Sequence, residues 1–102
     1  MKDKILTLLG FASKAGKLSY GFDKTLLSLK SKKSFLIIVS SDVSEKSKKE
    51  ISFYAKKHKT KVLFSDLFDT EELTKAVGRV CATVSVNDNS FADAIIGLGG
   101  NA

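Results

Sequence analysis

Few residues in this chain have types and spacing that could do chemistry. Ser40, Ser41 and Ser44 follow the apolar run Phe35–Val39, where open α/β folds place their ligands. A serine nucleophile needs a base beside it. His58 is the only histidine, and it falls on the apolar stripe of a predicted helix. Ser40, Ser41 and Asp42 therefore lack the partner a small hydrolase would need, and a strand-end loop with a helix cap explains them. Asp42 and Asp66 both stand just past predicted strand ends and could share a cation. One carboxylate per strand end is ordinary in an α/β chain, and Asp42 also reads as a cap. Cys81 sits in an apolar stretch with nothing beside it to depress its pKa, which is the setting of an inert packed thiol. No catalytic residue, metal or cofactor is expected.

A different chemistry is available between Ser13 and Thr25. Gly16 and Gly21 have the Gly-x-x-x-x-Gly spacing, but no Lys-Ser/Thr follows, so a nucleotide phosphate loop is rejected. The stretch instead ends one helix at Gly16, crosses a short strand at Lys17–Tyr20 and opens a second helix at Gly21. The first turn of a helix offers unpaired N–H groups, and a glycine lets a polyanion backbone approach them. Lys14, Lys17 and Lys24 flank the spot, and Tyr20 and Phe22 could present flat surfaces. These are the parts of a nucleic-acid phosphate site. A glycine stop, a solvated lysine face and Phe22 in the core would account for the same residues.

Charge sharpens the choice of partner. The 102 residues carry 17 Lys+Arg against 11 Asp+Glu, a net charge of +6. Residues 1–61 contribute +10 and residues 62–102 contribute −4. A split this lopsided suggests an anionic partner for the first half. All the basic residues but Arg79 are lysines, so bidentate arginine readout of base edges is not the main device. A lone Cys81 removes disulfide frameworks and cysteine-rich zinc sites. No apolar run approaches the roughly 20 residues of a bilayer span, and Met1–Leu9 has no cleavage-like region. A cytosolic location with no membrane partner is expected.

The elements that position these residues alternate along the chain. Ile5, Leu8, Leu9 and Ala12 line one face of a first helix. Phe22, Leu26 and Leu29 line a second. Phe35–Val39 reads as a strand buried on both faces. Asp42 and Glu45 have capping-box spacing, with Ser44 an equally good cap, before a helix striped by Ser47, Ile51, Tyr54, Ala55 and His58. Six lysines (46, 48, 49, 56, 57 and 59) lie largely off that stripe, an arrangement that usually serves solubility. Val62–Phe64 reads as a short buried strand, and Thr70 as the cap of a helix carrying Leu73, Ala76, Val77 and Val80, weakened at Gly78. Val80–Val86 reads as the last strand. A final helix over Phe91, Ala94, Ile95 and Leu98 ends at Gly99–Gly100. The expectation is one domain over residues 1–102, a three-layer α/β/α sandwich of five helices and about four strands, mostly parallel or mixed.

Four segments in this order resemble the ribosomal-protein L-seven-Ae / L-thirty-e superfamily. They are Leu9–Gly21, Phe35–Ser44, Glu72–Arg79 and Val84–Ala92. Within that superfamily the chain resembles short bacterial members encoded among transcription and translation-initiation factors. The resemblance implies an α/β/α sandwich that binds structured RNA, typically the kink-turn, a sharp bend in a duplex. It implies a contact surface at the start of the second helix (Gly21, Phe22, Asp23 and Lys24), with Lys14 and Lys17 close by and Arg79 and Val80 in the later loop. Asp23-Lys24 stand where strong kink-turn binders carry Asn-Glu or Lys-Gln, and Leu27 where they carry a lysine. The loop after Gly78 is one or two residues shorter. RNA of this kind is read by shape more than by a groove code.

The expected function is therefore non-enzymatic binding of structured RNA, kink-turn-like or ribosomal, by a ribosome-associated protein or assembly factor. The alternative is a protein-interaction module of the same fold, with Asp66–Glu72 as a contact, although acids at a helix start usually serve only the dipole.

Overall fold

Local chemistry accounts for most of the element boundaries. The computed structural model describes residues 2–98. Helix α1 (Lys2–Lys14) buries Ile5, Leu9 and Ala12, with Asp3 in its first turn and Lys14 in its last. That charge order suits the helix dipole. After a turn at Gly16, strand β1 (Leu18–Tyr20) leads to α2 (Phe22–Lys30). Then come β2 (Leu36–Val39), α3 (Glu45–Lys57), β3 (Lys61–Phe64), α4 (Thr70–Val77), β4 (Thr83–Val86) and α5 (Asn89–Gly97). The predicted stop at Gly99–Gly100 lies outside the described residues.

The sheet has the order β1-β4-β2-β3. Its pairing is mixed. β2 and β3 are parallel, whereas β4 runs antiparallel to both of its neighbours, β1 and β2. The alternation of helix and strand leaves mostly parallel or mixed pairing open, and α4 explains why the sheet is mixed. An eight-residue helix is about 12 Å long. It leaves and returns at one end of the sheet: Ser41 N–H donates to Phe68 O just before α4, and Ser40 N–H donates to Ala82 O just after it. The chain thus re-enters the sheet from the end that β3 left, and β4 must run back against β2.

Two cores fill the sandwich. Leu36, Ile38, Leu63, Val84 and Val86 face α1, α4 and α5. Ile37 and Val39 face α2 and α3, joined by Leu29, Ile51 and Ala55. β2 and β4 are buried at every position, as the apolar run Phe35–Val39 predicts for the first of them. β3 is not a buried strand. It is an edge, with only Leu63 buried. Phe68, in the β3–α4 connection, is 1 % exposed and carries no periodic signal in the sequence.

Cap assignments shift in two places. Asp69, not Thr70, caps α4, in a reciprocal capping box with Glu72. Ser44 alone caps α3, accepting from Ser47 N–H, and Asp42 is used elsewhere. The last strand also begins later than its apolar lead-in suggests, because Val80 is 88 % exposed.

Helices α1 and α4 approach closely at Gly10. A Cβ there would lie 3.0 Å from the Ala76 carbonyl oxygen, tighter than ordinary contact. Replacing glycine by alanine inside a free helix gains about 1 kcal/mol, whereas overpacking typically costs about 1–3 kcal/mol. Because the obstructing atom is backbone, the cost wins. Gly10→Ala is expected to lower stability by about 1 kcal/mol in urea unfolding. A gain would show that the helices do not meet there.

Candidate nucleic-acid interface

The start of α2 is built from Gly21. Its φ of 91° and ψ of 168° belong to a region essentially reserved for glycine. Its N–H donates to Thr83 O at 2.7 Å, which fixes the head of α2 against the first residue of β4. Gly21 supplies no side-chain acceptor to the first turn. By contrast α3, α4 and α5 are capped by Ser44, Asp69 and Asp88. The leading N–H groups of α2 are thus free of a side-chain cap, at the positive end of a helix dipole.

The joint with β4 brings a distant loop to this spot. Arg79 stacks on the Tyr20 ring, its guanidinium carbon 4.8 Å from the ring centroid. Tyr20 is itself held, with its hydroxyl 2.5 Å from Ser13 Oγ, and Ser13 Oγ donates to Val77 O at 2.7 Å. Cation–π contact of this kind positions a guanidinium without neutralising it. Arg79, Tyr20 and Lys24 line one open groove with Ser13, Gly16 and Ser19. Val80, next to Arg79, projects into solvent.

The other predicted site residues fall differently. Asp23 is exposed in the first turn of α2, and Leu27 is exposed one turn on. Phe22 is half-buried, packed against the α2–α3 core. Lys17 lies at the opposite end of β1, where its carbonyl accepts from Asn87 N–H. Lys14 lines a separate groove with Phe11 and Ala76. Gly21, Lys24, Arg79 and Val80 therefore lie at one end with Asp23 beside them, while Lys14 lines another groove and the backbone of Lys17 sits at the far end of β1.

The serines and Asp42 form a structural lock instead of a reactive site. Asp42 Oδ1 accepts from Thr70 Oγ1 at 2.7 Å and from Thr70 N–H at 3.0 Å. Ser40, 1 % exposed, donates to Ala82 O at 2.8 Å. These bonds tie the end of β2 to both ends of the α4 excursion. No group of three or more metal-ligating side chains exists among the described residues. Burial pushes the Cys81 thiol up to about 11, as expected of an inert cysteine. His58 is the C-cap residue of α3.

One feature was missed in the sequence. Ser28, Ser19, Asn87, Ser85 and Ser34 form a chain of hydrogen bonds of 2.7–2.8 Å between α2 and the sheet. Scattered small polar residues give no periodic signal, although Ser85 inside an otherwise apolar strand was a clue.

A mixed four-stranded sandwich with an uncapped second helix and a cationic loop at its head defines a class of binding proteins. The chain belongs to the Ribosomal protein L7Ae/L30e/S12e/Gadd45 family, whose model matches residues 3–96. It is 31 % identical over 95 residues to the RNA-binding protein YlxQ of Enterococcus faecium, covering 89 % of this chain and 86 % of the relative. It is 33 % identical over 99 residues to the large ribosomal subunit protein eL30 of Candida glabrata, covering 95 % and 93 %. A solved structure of a protein of unknown function from Bacillus halodurans C superposes with a TM-score of 0.87 at 25 % identity, over 93 % of this chain and 95 % of that one. The Giardia lamblia 15.5kD RNA binding protein shares the fold, with a TM-score of 0.79 at 13 % identity over 95 % and 85 %. Membership in this ribosome-related family makes the chain a non-enzymatic protein.

The Asp42 lock has a pH signature. Hydrogen bonds from Thr70, above all its hydroxyl, hold the Asp42 carboxyl below the ordinary carboxylate value. Its contribution is present above the unfolded value, near 4, and is lost as pH falls through the lower folded value. Asp42→Ala is expected to lower the urea midpoint at pH 7, and the gap to the unmodified protein should close in strong acid. A pH-independent gap would mean the charge plays no part.

Proposed function

We propose that the chain binds structured RNA through the head of α2 and the Gly78–Ala82 loop. One observation carries this reading: the Gly21–Thr83 hydrogen bond sets an uncapped helix start beside exposed Arg79 and Val80. A bent RNA backbone can accept the free N–H groups of α2 and pair with Lys24 and Arg79. Val80 offers an apolar tip to an unstacked base, the kind of feature by which irregular RNA is read. The names of the two curated relatives, an RNA-binding protein and a ribosomal subunit protein, support the same class. Residues 1–102 act in this reading as one RNA-binding unit of the cytosol, on kink-turn or ribosomal RNA, as a ribosome-associated protein or assembly factor. Lys14 and Lys17 contribute long-range attraction and Phe22 contributes packing under the helix start.

The protein-interaction reading draws on a different surface. Phe53 and Phe64 are 64 % and 36 % exposed and share a shallow groove with Lys48, Lys49 and Lys56. Such an apolar patch rimmed by charge suits a protein contact.

Gel shifts on a kink-turn RNA and a plain duplex separate these readings. Charged hydrogen bonds are worth about 1.5–3 kcal/mol each, so Lys24→Glu with Arg79→Glu should weaken kink-turn binding at least about tenfold. Phe53→Ser should leave it unchanged. Affinity should fall with log salt at roughly −0.7 to −0.9 per phosphate contacted. Equal weak binding to both RNAs, unaffected by the double change, would remove the RNA-site assignment.

A further inference from the structure

The other end of the sheet carries a second cationic surface. There α2 and α3 finish and β2 and β3 begin, at the end marked by the Phe35 N–H to Val86 O bond. No acidic residue occurs from Lys24 to Ser41 or from Ile51 to Ser65. These two segments bring Lys30, Lys32, Lys33, Lys57, Lys59 and Lys61 to this end, all exposed. Among the described residues none of the six pairs with a carboxylate. An open cleft of about 420 Å³ at the centre is lined by Lys32, Lys57, His58, Lys59, Ser34 and Phe35, among others, and Phe35 is 47 % exposed.

Backbone geometry singles out two of these lysines. Lys32 (φ 59°) and Lys59 (φ 55°) are the two non-glycine residues with positive φ among the described residues, and both line this one cleft. Glycine would close the two helix ends without strain. A helix dipole favours lysines in the last turn, which accounts for Lys30 and Lys57. It does not account for Lys32, Lys33, Lys59 and Lys61, which lie beyond the helices.

We propose that this end is a second RNA-backbone contact, and that the protein thereby holds two RNA segments together. The inference rests on the RNA-binding reading above. Six unpaired lysines spread over one end exceed what a single small anion needs and match a phosphodiester chain, to which lysines bind as point charges without sequence preference. Phe35 offers an exposed ring edge or face to a base. The two surfaces sit at opposite ends of strands β2 and β4, so each is open to a separate RNA segment.

The test uses the full chain and two short structured RNAs, one labelled with a donor and the other with an acceptor fluorophore. Energy transfer is expected when protein is limiting and should vanish when protein is in large excess. Lys32→Gly with Lys59→Gly removes two charges and relieves the strained backbone together. That variant should keep its thermal midpoint or raise it, hold a single RNA within about threefold, and lose transfer at least about tenfold. A structural role for the lysines would instead leave transfer intact. Single-RNA binding without transfer in the unmodified protein overturns this proposal alone, as does transfer that survives the double glycine change. Failure to bind either RNA overturns the parent reading together with this one.

Discussion

Two carbonyl groups at the head of β4 hold the arrangement together. Thr83 O receives the N–H of Gly21, and Ala82 O receives both the N–H and the hydroxyl of Ser40. The first bond seats α2, the others seat the end of β2, and all lie directly after the loop that carries Arg79 and Val80. Because β4 is central, paired on both sides and buried on both faces, these acceptors are rigid. Two segments distant in sequence are thereby registered against a single strand end. The free helix start depends on this. Without a side chain on Gly21, the backbone bond to Thr83 stands in for a cap in fixing where α2 begins, and it leaves the outward N–H groups unoccupied.

Much of this was legible in the sequence where burial is local and regular. The apolar run ending at Val39 is a strand because both of its faces are covered. Ile5, Leu9 and Ala12 announce α1 by spacing alone. Gly21 was readable as a helix start because few residues tolerate that turn. What escaped is what depends on contacts far along the chain. Strand adjacency has no periodic signature, so the insertion of an antiparallel β4 was hidden. The Asp42–Glu45 spacing fits a local capping box, but Thr70 is the partner Asp42 takes. Lys17 illustrates a geometric trap. Residues four apart on a helix are neighbours, but across a strand four residues span about 13 Å. Its closeness to Gly21 in the sequence therefore became separation in space, while Arg79 came near.

Charge is distributed by layer more than by half of the chain. Helices α2 and α3 carry seven lysines against three acids. Helices α1, α4 and α5 carry four lysines against four acids, and the Lys2–Glu72 pair at 2.6 Å joins two of them. The acidic second half of the sequence thus neutralises the helix that opens the first. One outer layer is left close to neutral and the other strongly positive, which orients the molecule toward a polyanion before contact.

The edge position of β3 has a consequence for how the molecule keeps its own company. A sheet edge offers unpaired N–H and C=O groups that another chain can extend. Here that edge is four residues long and opens with exposed Lys61, two residues after Lys59. A strand adding to this edge would meet exposed lysines at the start of the ladder, a device that blunts such pairing. The lysines proposed to take up a foreign polyanion thus also discourage another copy's strand from joining the sheet.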